Sequence, residues 1–135
     1  INVGSGSHDP HIWLDPFLWS EGVEALGKKL AEKYPEDKTE ILANTLRYVS
    51  KIKSTGVWMQ KEIDQIPEQQ RLLITSHDAF SYFGRQFGVE VDALQGISTV
   101  SEPGIRTVGA LTQKIIRREI SAVFIESMLS ISSFA

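Results

Sequence analysis

Any chemistry in this sequence has to begin with three histidines, His8, His11 and His77. Cysteine is absent, which removes disulfides, thiolate metal sites and cysteine nucleophiles together. His8 sits in a Gly/Ser-rich opening stretch and reads as an exposed loop residue. His11 follows Pro10 in a short rigid segment, just ahead of a helix start. An imidazole held there has the fixed orientation that a metal ligand or a catalytic base needs. His77 falls where a short apolar run hands over to a helix. Open parallel sheets collect their ligands at that place, beyond the carboxyl ends of the strands. Each histidine also has a plainer reading, as a surface, capping or first-turn residue. If His11 and His77 both act, they must converge across a cleft, an arrangement suited to ligand capture more than to catalysis.

The carboxylates give weaker signals. Asp9, Asp15 and Asp78 are explained by capping or by the surface. Glu102 lies in the first turn of a helix, where the dipole favours negative charge. Glu126 ends a buried strand at the same sheet edge as His77. Both glutamates are assigned to the wall of the site, behind the ligands, although a helix-start role suits Glu126 equally well.

The elements that must position these residues follow from periodicity. Asp15-Pro16 is a helix start, a capping carboxylate followed by Pro at the first helical position. Val23, Leu26, Leu30, Ala31 and Tyr34 repeat at helical spacing up to Pro35. A second helical stretch begins at Asp37 and carries an apolar stripe from Ile41 to Ile66, interrupted only at Gly56. Some 29 residues of helix would measure about 43 Å, whereas a compact chain of this size has a radius of gyration of about 14 Å. Such a helix suits a spine joining two lobes; the alternative is two helices broken at Gly56. Beyond Pro67 the pattern becomes strand (71–76), helix (78–87), strand (89–94), helix (from 101) and strand (122–125). That order predicts an α/β fold, a parallel sheet with helices on both faces.

Composition narrows the function classes. In 135 residues, 41% are hydrophobic and 23% charged, which excludes a disordered tail, a collagen repeat and a coiled coil. A net charge of −3 argues against a nucleic-acid partner. No apolar run approaches the ~20 residues that cross a bilayer. Dinucleotide-binding, phosphate-loop and nucleophile-elbow signatures are missing. The first residues read like the interior of a longer protein.

Asp9-Pro10-His11-Ile12-Trp13-Leu14-Asp15-Pro16 resembles the signature of the metal-specific solute-binding proteins of bacterial zinc and manganese ABC importers. Thr75-Ser76-His77-Asp78-Ala79-Phe80-Ser81-Tyr82-Phe83 is similar to that family's entry into its second lobe. The stretches 95–103 and 123–127 resemble two more family segments, in family order. The resemblance covers nearly the whole chain.

It implies two α/β lobes joined by one long helix, with residues 1–35 ending the N-terminal lobe, 36–67 forming the linker helix and 68–135 a partial C-terminal lobe. It implies a divalent metal (Zn²⁺, Mn²⁺ or Fe²⁺) held by four side chains, of which His11 and His77 are two. The other two would lie outside these residues, so the chain taken alone should hold metal poorly. The partner implied is an ABC permease in the membrane, served by a monomeric protein that is periplasmic or extracellular, with lipid anchoring left open. No reaction is implied. Rival readings are a surface adhesin of the same family and a zinc-dependent hydrolase built on His11 and His77, for which the sequence supplies no general base.

Overall fold

A computed structural model describes residues 8–95 and 105–125. By their contacts these fall into two units, one of Ile12–Gln65 and one that joins Ile1–His11 to Ile66–Ala135.

The first unit is a helical hairpin of α1 (Pro16–Lys33) and α2 (Lys38–Asp64). Its start is fixed locally. Asp15 accepts the main-chain N–H groups of Phe17 and Leu18 on Oδ1, at 3.0 and 3.1 Å. These are donors that the first helical turn cannot satisfy itself. Asp15 is 2% exposed, so water cannot replace it. Asp15→Ala is expected to lower stability by about 1 kcal/mol, measured by urea unfolding of the full-length protein.

Tyr34 ends α1, and a 3-10 turn at Pro35–Asp37 carries the chain into α2, so Asp37 closes that turn and the helix proper begins one residue later. α2 runs unbroken for 27 residues, about 40 Å at 1.5 Å per residue. Gly56 does not break it. Gly56 is buried, and a Cβ there would stand 2.9 Å from Cγ of Pro16 and 3.0 Å from Cζ of Phe17. The glycine therefore marks where the start of α1 presses on α2. Val49, Ile52 and Ile63 of α2 and Ala31 of α1 are buried.

The second unit is built on two parallel strands, β1 (Leu72–His77) and β2 (Glu90–Gln95), in register from Leu72 opposite Glu90 to His77 opposite Gln95. Alternation assigns the faces. Leu72, Ile74 and Leu94 lie on one face and form a core with Leu111 of α4 (Ile105–Arg118), with Ile115 and Ile120 packed against it. The other face takes α3 (Ser81–Phe87): a Cβ on Gly84 would meet Cγ2 of Val91 at 2.6 Å. Thr75 and His77 belong to this face. Helices thus cover both faces of a small parallel sheet, as the sequence pattern predicts.

Two elements depart from expectation. α3 starts at Ser81 instead of Asp78, because Ala79 N–H donates to the His77 carbonyl in a turn at 3.0 Å and the Asp78 carboxylate accepts Ser81 Oγ at 3.0 Å. The strand expected over 122–125 is reduced among the described residues to one parallel bridge, Phe124 to Thr75, with Phe124 N–H donating to Ile74 O at 2.9 Å. That bridge places β1 between β2 and Phe124.

At the far end of the sheet, Lys114 pairs with Asp92 at 2.6 Å and with Glu90, and Arg118 also pairs with Glu90. Hydrogen bonds from Lys114 and then Arg118 hold the Glu90 carboxyl below its ordinary value. Those from Asp92 and then Glu90 hold the Lys114 ammonium above its own. Glu90 is about half exposed, so solvent screening limits each pair to about 0.2–1 kcal/mol.

Candidate functional site

His77 is the last residue of β1, at the carboxyl end of the strand. Its carbonyl is fixed twice, by Thr75 Oγ1 at 2.8 Å and by Ala79 N–H at 3.0 Å. Thr75 is 1% exposed and cannot move out to solvent. The backbone carrying the imidazole is therefore anchored on both sides.

Segment 8–11 meets that strand end. Tyr82, buried on α3, donates its phenolic O–H to the carbonyl of Asp9 at 3.3 Å. The Arg85 guanidinium lies over the Tyr82 ring, 5.2 Å from its centroid. Asp9 is buried, and its Oδ1 meets His11 twice: it accepts the main-chain N–H at 3.0 Å and lies 2.7 Å from ring Nδ1. Pro10 lies between the two, so the bond from the His11 N–H closes an Asx turn around a residue with fixed φ.

The result is two imidazoles side by side. The rings of His11 and His77 have centroids 5.7 Å apart and planes inclined at 66°. An imidazole bound at ~2.1 Å puts its centre about 3.2 Å from the ion, so two rings at a tetrahedral angle lie about 5 Å apart. The observed spacing is close to that. Two neutral imidazoles offer nitrogen donors suited to zinc, manganese or iron and poorly suited to calcium or magnesium.

The sequence expectations sort as follows. His11 and His77 are brought together, and both belong to the sheet-bearing unit. His8 is exposed. Glu102 and Glu126 lie outside the described residues. Asp9 and Tyr82 are the site residues that sequence reasoning passes over. Asp-Pro-His is legible as an Asx turn, since aspartate accepts from the main chain two residues on. Burial of Asp9 against Tyr82 depends on a contact across 73 positions and leaves no local trace.

The family model for the periplasmic zinc-uptake complex component A, ZnuA, matches residues 2–134. The manganese-binding lipoprotein MntA of Bacillus subtilis (strain 168) is 37% identical over 131 residues, covering 96% of this chain and 43% of MntA. The zinc-binding protein TroA of Treponema pallidum (strain Nichols) is 33% identical over 129 residues, covering 96% of this chain and 42% of TroA. The solved structure of the periplasmic zinc-binding protein TroA superposes with a TM-score of 0.89 at 32% identity, covering 99% of this chain and 48% of that one. The Fe(III)-bound YtgA of Chlamydia trachomatis gives a TM-score of 0.89 at 25% identity, over 98% of this chain and 51% of that one. The chain thus spans less than half the length of the curated relatives it matches. With a family model matched over almost every residue, the chain belongs to the ZnuA family of zinc-uptake solute-binding components.

Proposed function

We propose that the full-length protein is the extracytoplasmic solute-binding component of an ABC importer, capturing a divalent transition metal and handing it to a membrane permease. His11 and His77 are two of the metal's ligands in this reading. The observation that carries it is the pair of imidazoles 5.7 Å apart, each on an anchored backbone. Among the described residues no group of three or more His, Cys, Asp or Glu side chains is placed to hold an ion. The pair is then half of a four-ligand set. Relatives carry the words manganese-binding (MntA) and zinc-binding (TroA), and a third is described with Fe(III) (YtgA). Imidazole binds all of these metals, so selectivity rests with the remaining ligands and the geometry they impose.

No chemical step is assigned: the ion enters and leaves unchanged. The protein acts as a monomer outside the cytoplasm, periplasmic or tethered by lipid, without a nucleic-acid partner. None of the described helices is long and apolar enough to cross a membrane.

The test is competition titration of the metal-free full-length protein with Zn²⁺, Mn²⁺ and Fe²⁺ against a chelating dye. One ion per protein with submicromolar affinity is expected for at least one metal. No saturable uptake of any of the three at micromolar protein would sink the proposal.

A further inference from the structure

We propose that Asp9 is a positioning residue for His11: its buried carboxylate holds the imidazole as the Nδ1–H tautomer and so makes Nε2 the nitrogen that takes the metal. The inference rests on the metal-capture reading of His11.

The Asp9 side chain has no exposed surface. Among the described residues, both hydrogen bonds of Oδ1 are with His11. Among the described residues the other oxygen, Oδ2, is buried without a hydrogen-bond partner. Burying a carboxylate is costly unless it is well paired. An Asx turn alone does not require that cost, because Asn or Ser serves a main-chain N–H as well. The part that needs the carboxylate is the 2.7 Å contact with the ring.

An ionised carboxylate can only accept, so the proton of that contact belongs to Nδ1. The bond is charge-assisted and short. With Nδ1 protonated, the neutral ring has its lone pair on Nε2 and a more basic donor nitrogen there. Tyr82 completes the arrangement by a different route: it holds the main chain of Asp9 and leaves the carboxylate to the ring.

Asp9→Asn weakens the hold on the ring with little change of shape. Both contacts fall on Oδ1, so an amide oxygen there can still accept from the turn N–H and from Nδ1–H but without charge assistance, and the amide turned the other way offers NH₂ to Nδ1 and stabilises the opposite tautomer. The experiment is ¹⁵N NMR of the imidazoles in the metal-free full-length protein, at a pH well above the ordinary histidine value of about 6.5, followed by Zn²⁺ titration. The wild type should show His11 as pure Nδ1–H. D9N should show Nε2–H or a mixture, with Zn²⁺ affinity lowered about 10–100-fold. Tyr82→Phe, which loosens the segment and leaves the carboxylate in place, should keep the wild-type tautomer. The proposal is overturned if D9N retains pure Nδ1–H, if its Zn²⁺ affinity equals the wild type's, or if Y82F shifts the tautomer as far as D9N does. A wild type that takes up no Zn²⁺ would sink the capture reading instead. The tautomer measurement needs no metal and judges Asp9 separately.

Discussion

His11→Ala and His77→Ala should each cost the full-length protein about 10²–10³-fold in metal affinity. The estimate comes from sharing the site's free energy among its ligands. Structural zinc sites with four protein ligands bind with about 10–16 kcal/mol. One ligand in four is then worth about 2.5–4 kcal/mol, at about 1.4 kcal/mol per tenfold. His8→Ala is the control, since His8 is exposed. It should leave affinity unchanged. The measurement is metal content after dialysis against a calibrated metal buffer, with thermal unfolding of the metal-free variants alongside. Unfolding of His77→Ala should stay near the wild type, because His77 is partly open to solvent, whereas His11→Ala should unfold earlier, because it removes the ring partner of the buried Asp9 carboxylate. Undiminished metal content in both alanine variants would remove the ligand assignment. A loss matched by His8→Ala would mean that segment 8–11 acts as a whole and not through one imidazole.

Much of the frame behind this site can be read from the sequence because it is set by local rules. Asp15-Pro16 starts a helix wherever it is placed, and the structure shows the cap bonds. The short apolar run at 71–76 and the alternation at 89–94 give two strands, and the helix between them forces a parallel pairing. His77 then falls at a carboxyl strand end by arithmetic. The remainder depends on contacts between distant residues. Asp9 has an ordinary surface composition around it, and only Tyr82 shows it to be buried. Gly56 reads as a helix breaker in isolation, and only the arrival of Pro16 and Phe17 shows that its missing side chain is what the packing uses. The start of α3 is delayed because the His77 carbonyl and the Asp78 carboxylate are spent on a turn, a competition that periodicity does not register.

Two glycines in α1 should respond to the same substitution with opposite signs, for the reason that separates packing from propensity. In a helix interior, Gly→Ala gains about 0.5–1 kcal/mol, mainly by restricting the unfolded chain. Gly22 has nothing within 4 Å of the position a Cβ would take, so Gly22→Ala should be stabilising by roughly that amount. Gly27 is buried where α1 crosses α2, and a Cβ there would collide with the Thr45 side chain, including its Cβ at 2.9 Å. Thr45 cannot swing aside cheaply. Its Oγ1 is bonded to the Ile41 carbonyl at 2.7 Å, and its β-branch leaves few rotamers in a helix. Overpacking of this kind costs typically 1–3 kcal/mol, which outweighs the propensity gain. Gly27→Ala should therefore be net destabilising by about 1–2 kcal/mol, and Gly27→Val by about 3 kcal/mol or more, since a second branch adds contacts on the same side. The partner substitution decides whether Thr45 is the cause. Thr45→Ala removes the colliding methyl and hydroxyl, so the Gly27→Ala/Thr45→Ala double variant should recover most of the loss. The interaction between the two changes should be about 1 kcal/mol or larger. Urea unfolding of the four proteins of that cycle measures it. Additivity within a few tenths of a kcal/mol would show that α1 and α2 do not touch through this pair. Equal effects of alanine at positions 22 and 27 would show that propensity, and not the close approach of the helices, sets the stability of the hairpin.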